Sequence, residues 1–262
     1  MTIGATSPYW RRFLLAAFSK FYFRRSFSNE NGEASLYVSP GSSLTVLRTN
    51  LQIDKVHQRF IRDWINAESV VWDIGANVGL FAFPAALKAR RGVVYAFEPD
   101  IDITRNLLRS TMLPLNEGVD IRPMPIALSD RDGVAAFEIS RFSRAMNKLE
   151  ANGRWHQAQI AVQEKRWVPT MKVDTLAATL AGPSVMKIDV EGAEMNVLHG
   201  AVQTIAKNRP PILIEGPREL WDEMATFFRQ MDYRMFDGSA DGYRPLDHPV
   251  WDTFALPIEK AP

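Results

Sequence analysis

The sequence predicts an α/β fold: a seven-stranded, mostly parallel sheet with helices on both faces and an antiparallel last strand. Two observations carry this. From residue 70 onward short apolar runs alternate with helix-length amphipathic segments, a rhythm that builds parallel sheets through right-handed crossovers. The final two strand-like runs are separated only by the loop Asp237 to Pro249, too short a link for a parallel return with a helix. With 262 residues, 46% of them apolar, one such domain can bury a full core.

The elements follow in order. Ser69 to Trp72 is the first core strand, and Phe81 to Ala89 the helix after a glycine turn. Gly92 to Phe97 is the second strand, Ile103 to Leu113 the next helix, and Val119 to Ile126 the third strand. Val185 to Val190, Pro211 to Glu215, Tyr233 to Phe236 and Trp251 to Leu256 complete the strands, with helices at Ala193 to Lys207 and Glu219 to Met231. The expected division is a partly helical N-terminal extension over 1–64, packed on the core, and the main domain over 65–262. Residues 134–173 break the rhythm with two β-like runs, Val134 to Ile139 and Gln159 to Val168, around Arg141, Asn147, Trp155 and His156. An insertion between the third and fourth core strands hangs over the carboxyl edge of the sheet, where ligands bind. A substrate wall and a surface hairpin are both open readings of it.

Composition excludes some classes. A net charge of +1 argues against nucleic acid as a partner, which needs a concentrated basic surface. No cysteine is present, so there is neither a disulfide nor a Cys-ligated zinc, which suits a reducing compartment. No apolar run reaches the roughly 18 residues of a spanning helix, and no convincing signal peptide opens the chain. A cytoplasmic protein is expected. The first 29 residues carry five cations (Arg11, Arg12, Lys20, Arg24, Arg25) and no acid. Trp10, Phe13, Leu14, Ala17, Phe18 and Phe21 fall at helical spacing. Residues 8–27 therefore read as a basic amphipathic helix that packs on the domain or lies on an anionic membrane surface; the first is expected, because aromatic stripes of this spacing are more often core.

The chemistry concentrates in three places. Asp73-Ile74-Gly75-Ala76-Asn77-Val78-Gly79 joins first strand to first helix. Its glycines permit a tight turn and close approach to a ligand, and the helix N-terminus offers free N–H groups. The Gly-x-x-x-Gly spacing lacks the third glycine of a dinucleotide fingerprint. A carboxylate at the mouth of the turn, Asp73, suits a cationic sulfonium with an α-ammonium rather than a pyrophosphate. Glu98 ends the second strand 23 residues after Gly75, where an acid can accept both ribose hydroxyls of an adenosine. Asp189 terminates the fourth strand, with Glu191 and Glu194 close behind. Glu194 fits a helix start; Asp189 does not, and points into the ligand crevice.

Val-Trp-Asp-Ile-Gly-Ala-Asn-Val-Gly (71–79), Ala-Phe-Glu-Pro (96–99), Ala-Leu-Ser-Asp (127–130), Val-Asp-Thr-Leu (173–176) and Lys-Ile-Asp-Val-Glu-Gly-Ala-Glu (187–194) stand in this order, and here the chain resembles the FkbM methyltransferase family over about residues 65–216. The resemblance implies a Rossmann-like class I fold, S-adenosyl-L-methionine as cofactor, and O-methylation of a small-molecule or glycan acceptor such as a sugar or polyketide hydroxyl. It implies that Asp73, Gly75, Asn77 and Gly79 hold the methionine part, Glu98 and Pro99 the ribose side, and Ala127 the adenine, while Asp189 and Glu191 face the methyl group and acceptor. Phe81-Ala82 stands where the family commonly has a threonine, which removes one side-chain contact to the cofactor. Asp189, Glu191 and His156 are the candidate bases; His57, His199 and His248 have no singular context. No metal is expected, with a carboxylate-held divalent cation as the alternative. Two rival functions remain: a catalytically silent binding module of the same fold, and a nicotinamide-dependent oxidoreductase. The acceptor and the oligomeric state are not encoded in any motif.

Overall fold

The computed structural model describes residues 22–38, 51–140, 148–149 and 162–262. The helical stripe from Trp10 to Phe21 and the insertion's Arg141, Asn147, Trp155 and His156 lie outside them. Within them, an antiparallel hairpin comes first, β1 (Phe23–Asn29) and β2 (Gly32–Val38), followed by α1 (Lys55–Trp64). The main sheet is then laid down as β3 (Val70–Ile74), β4 (Val93–Phe97) and β5 (Ile121–Met124), with α2 (Ala82–Lys88) and α3 (Ile101–Thr111) between them. A second small sheet contains β6 (Ala127–Leu128), β7 (Gly133–Ser140), β8 (Lys148–Leu149) and β9 (Val162–Met171), followed by α4 (Val173–Leu176). The chain returns through β10 (Val185–Ile188), α5 (Glu194–His199), α6 (Val202–Asn208), β11 (Ile212–Glu215), α7 (Trp221–Gln230), β12 (Tyr233–Asp237), β13 (Pro245–Leu246) and β14 (Asp252–Pro257).

The main sheet runs β13-β12-β14-β11-β10-β3-β4-β5. All seven predicted strands form in it, and β14 is antiparallel to both its neighbours, β11 and β12. The difference is an eighth, two-residue strand, β13, paired antiparallel to β12 at the edge. Strands β11, β10, β3, β4 and β5 are mutually parallel, and all but the edge strand β5 are buried on both faces. Val71 packs into one apolar cluster and Trp72 into the other, each fully buried, as expected of continuous apolar strands covered by helices. The strand order reverses beside β3, where β10 joins from the opposite side to β4. That reversal opens a crevice at the carboxyl ends.

Three local expectations differ. Residues 23–27 are strand β1, not the end of a basic helix, so Arg24 and Arg25 stand on a hairpin. The hairpin wins because β2 supplies alternate inward residues, Ala34, Leu36 and Val38, that share one core with Phe27, Phe60 and Phe81. Asn116 fastens the hairpin by exchanging bonds with the backbone of Ser35 (2.9 and 2.7 Å). The single helix predicted over 193–207 is two, α5 and α6. It breaks at Gly200, where a Cβ would lie 2.0 Å from the Ser129 carbonyl oxygen, so the chain must turn to let another backbone pass. Strand β10 ends at Ile188, placing Asp189 just beyond the strand. Among the described residues no helix is long and apolar enough to cross a membrane.

Candidate active site

The crevice beside β3 is a cleft of about 660 Å³ including its open mouth. Gly75, Asn77, Glu98, Pro99, Ala127, Asp189 and Glu191 line it, together with Phe97, Leu128, Phe137, Leu149 and Val190. Asp73 and Gly79 do not line it. His156 lies outside the described residues. One end of the cleft is therefore acidic, at the tip of β10, and the other apolar, beyond β4.

The turn after β3 is built by close packing. Gly75 has φ +81°, and a Cβ there would sit 1.7 Å from the Asp189 carbonyl oxygen; Gly79, at φ +92°, would strike Leu107 and Phe83. These glycines let β10 and α3 approach, so they serve packing as well as the tight turn. Asn77 also has positive φ, 47°, a conformation asparagine tolerates better than most side chains. Its amide N–H donates to Glu98 Oε2 (3.0 Å), and the N–H of Asp100 donates to Glu98 Oε1 (2.8 Å). Glu98 thus ties the turn to the end of β4 from a nearly buried position, 6% exposed. Burial pushes its carboxyl up to about 8, opposed by the Asp100 N–H bond. Each carboxylate oxygen keeps a further lone pair for a hydroxyl donor.

Period-two alternation sets the acidic end. Lys187 of β10 is in register with Asp73 of β3, and Glu215 of β11 with Asp252 of β14, so these side chains rise from the same face of the sheet. Asp73 is fully buried and neither of its carboxylate oxygens accepts a hydrogen bond. Burial raises it to about 6, with Lys187 opposing. The Lys187 ammonium, 3% exposed, is 3.8 Å from Asp73 and 2.9 Å from Asp189 Oδ2. It can hold the Asp189 side chain aimed in one direction. Glu191 stands at the rim at φ 55°. Protein crowds its carboxyl although solvent reaches the side chain, and this desolvation, followed by the charges of Asp189, Glu194 and Glu215, pushes it up to about 8.

Sequence reasoning missed two residues here. His57 of α1 places Nε2 2.8 Å from Glu215 Oε1 and sets its ring edge-on to Phe81. No local signal marks it; only the packing of α1 brings it 158 positions along the chain to the end of β11. Lys187 stood inside a recognised motif, but its role required the sheet register. Among the described residues, no group of three or more His, Cys, Asp or Glu is arranged to hold a metal ion.

Glu194 folds back rather than capping α5 conventionally. Its Oε1 accepts from the amides of Val190 (3.2 Å) and Gly192 (3.0 Å), and Oε2 is buried without a partner. Burial lifts it from 4.5 to about 7. Between those values the folded chain keeps a proton that the unfolded chain has released, so this group's stabilising contribution is full below about 4.5 and lost as pH rises through about 7. Glu194→Gln should therefore flatten the fall in melting temperature between about pH 4.5 and 7, a change that corresponds to at most roughly 3 kcal/mol. Parallel melting curves for the two proteins over that range would overturn the assignment.

A family profile described as the Methyltransferase FkbM domain matches residues 73–235, more than half of the chain. The hexuronic acid methyltransferase AglP of Haloferax volcanii is 30% identical over 155 residues, 56% of this chain and 56% of that protein. The 2-O-methyltransferase NoeI of Sinorhizobium fredii is 27% identical over 165 residues, 59% of this chain and 66% of that protein. The matched region thus spans less than two thirds of either relative. A crystal structure of Methyltransferase FkbM from Methylobacillus flagellatus superposes with a TM-score of 0.46 at 16% identity, covering 73% of this chain and 44% of that one.

Proposed function

Because the chain belongs to the FkbM methyltransferase family, we propose that its cleft binds S-adenosyl-L-methionine and transfers the methyl group to a hydroxyl oxygen, most plainly of a sugar or related small-molecule or glycan acceptor. The observation that carries this reading is the pairing of two buried acids across one turn. Asp73 has two unpartnered buried oxygens, and Glu98 has spare lone pairs on a carboxylate fixed by two amides. A buried acceptor without a donor is rare in folded proteins; a cationic ligand in the cleft would complement the Asp73 charge from across the wall, while its hydroxyl donors would reach Glu98. The apolar end of the cleft, with Phe97, Ala127 and Leu128, suits an adenine.

Bound there, the cofactor supplies an already activated methyl group. The chain's residues then have to align an acceptor oxygen and take its proton. Alignment within a fixed cleft supplies much of the acceleration. Asp189, clamped by Lys187, is suited to orienting the acceptor hydroxyl. Glu191, with its carboxyl near 8, is the better matched proton acceptor, because a base works best when its pKa lies near the operating pH. The neighbouring acids Glu215 and Asp252 suit a polyhydroxyl partner, since carboxylates accept from hydroxyls. The hexuronic acid in the name of one relative and the 2-O-methyl transfer in the name of the other support a hydroxyl acceptor of this class.

The test is label transfer. The protein, incubated with methyl-labelled S-adenosyl-L-methionine and cell extract, should place label in a glycan or small-molecule fraction that is base-stable, as an ether is. Label recovered only in ester or nitrogen-linked products, or cofactor binding with no product from any fraction, would favour another methyl acceptor or a silent module respectively. Calorimetry with NADH beside S-adenosyl-L-methionine separates the oxidoreductase reading.

A further inference from the structure

The described strands of the insertion, β7, β8 and β9, have one face turned to solvent and one to the cleft. In the β7–β9 ladder Ala136 pairs with Trp167 and Phe137 with Arg166, while Phe137 also pairs with Leu149 of β8. Paired residues share a face and neighbours alternate. Trp167 and Val134 are accordingly exposed, at 77% and 65%, while Phe137 is 3% exposed and lines the cleft with Leu149. Arg166, on the inward face, reaches from the insertion to the main domain. Its Nη1 donates to Asp100 (3.3 Å) and its Nη2 to Asp102 (3.1 Å), both at the start of α3, and its Nε donates to Glu164 (2.7 Å).

Asp100 is the junction. It is fully buried, its carboxylate accepts from the Asp102 amide at the start of α3 (2.9 Å), and its own N–H donates to Glu98. An unbroken chain of polar contacts therefore runs from Arg166 through Asp100 to Glu98 and on to the Asn77 amide. A guanidinium can hold two carboxylates in a fixed fork, which an ammonium cannot.

We propose that the small sheet β7–β9 is the side wall of the nucleoside end of the cofactor pocket, with Phe137 and Leu149 against the base and Arg166 as the positioning residue that locks this wall to the Glu98 loop. The inference rests on the reading that the cleft takes S-adenosyl-L-methionine, and it moves the insertion from the acceptor side, where its sequence position suggested a substrate wall, to the cofactor side.

Calorimetry on the full chain tests it with two compounds, S-adenosyl-L-homocysteine and 5′-methylthioadenosine, the second lacking the amino-acid end. Arg166→Lys, which keeps the charge near Asp100, should weaken both by a similar factor, about tenfold, from loss of the bidentate hold. Arg166→Ala should weaken both further. Phe137→Leu should weaken both about three- to tenfold through lost ring contact. Asp73→Asn, at the other end, should weaken only S-adenosyl-L-homocysteine. Melting temperatures read alongside separate lost binding from lost folding, and Arg166→Lys keeps the test open should Arg166→Ala fold poorly. If the parent bound both compounds and folded Arg166→Lys and Phe137→Leu bound them within twofold of it, the inference would be overturned while the cofactor reading stood. If the parent bound neither, both would fall.

Discussion

Replacing Glu98 by alanine is expected to weaken S-adenosyl-L-methionine binding by about 2–4 kcal/mol, roughly 30- to 1,000-fold, through two lost charge-assisted hydrogen bonds to the ribose. The structure makes the upper part of that range the natural outcome. Glu98 also holds the amides of Asn77 and Asp100, so its loss frees the turn as well as the ligand. Glu98→Gln separates the two roles: its single carbonyl oxygen can keep one amide but cannot accept at both oxygens. A second signature comes from protonation. In the free protein burial holds Glu98 up to about 8, so near pH 7 it carries a proton. Hydroxyl donors and a cationic ligand favour the charged carboxylate, so binding should expel part of a proton. Calorimetry in buffers of different ionisation enthalpy reads that release directly, and Glu98→Gln should abolish it. Binding within twofold of the parent in both folded variants, with no change in proton release, would remove Glu98 from the cofactor site.

The sequence revealed the sheet because its signals are local and repeated. Apolar runs such as Val93 to Phe97 and the glycine turn after β3 are short-range patterns, and each predicted core strand forms. The acids Glu98 and Asp189 were legible because each directly follows an apolar strand, where a carboxylate has no packing role. What was hidden depends on register and long-range packing. That Lys187 lies beside Asp73 follows from strand pairing, and no spacing in one strand contains it. His57 meets Glu215 only because α1 lies across the sheet. The hairpin β1–β2 was obscured by an aromatic stripe whose helical period was carried too far, into residues whose inward face is set by β2. Arg166 was unreadable for a related reason: in sequence it is one cation in a polar strand, and its partners Asp100 and Asp102 sit 66 and 64 positions away.

Turnover should depend most on Glu191. Glu191→Gln is expected to cut kcat by about 10²- to 10⁴-fold, the range for losing a positioned general base, while leaving S-adenosyl-L-methionine affinity closer to the parent's than Glu98→Ala does. The pH profile carries the sharper expectation. A base held at about 8 is protonated and idle below that value, so kcat should rise with pH and level off above about 8 in the parent. Glu191→Gln should lose that limb. Asp189 raises the Glu191 carboxyl by like charge, so Asp189→Asn should move the limb to lower pH, the direction opposite to what added burial would cause. That variant also leaves the buried Lys187 ammonium with Asp73 at 3.8 Å as its nearest acid, so its melting temperature must be read beside its rate. Measured with the acceptor that label transfer identifies, an unchanged limb in Glu191→Gln would exclude Glu191 as the base. The search would then turn to the His57–Glu215 pair, whose imidazole already stands 2.8 Å from a carboxylate at the same sheet edge.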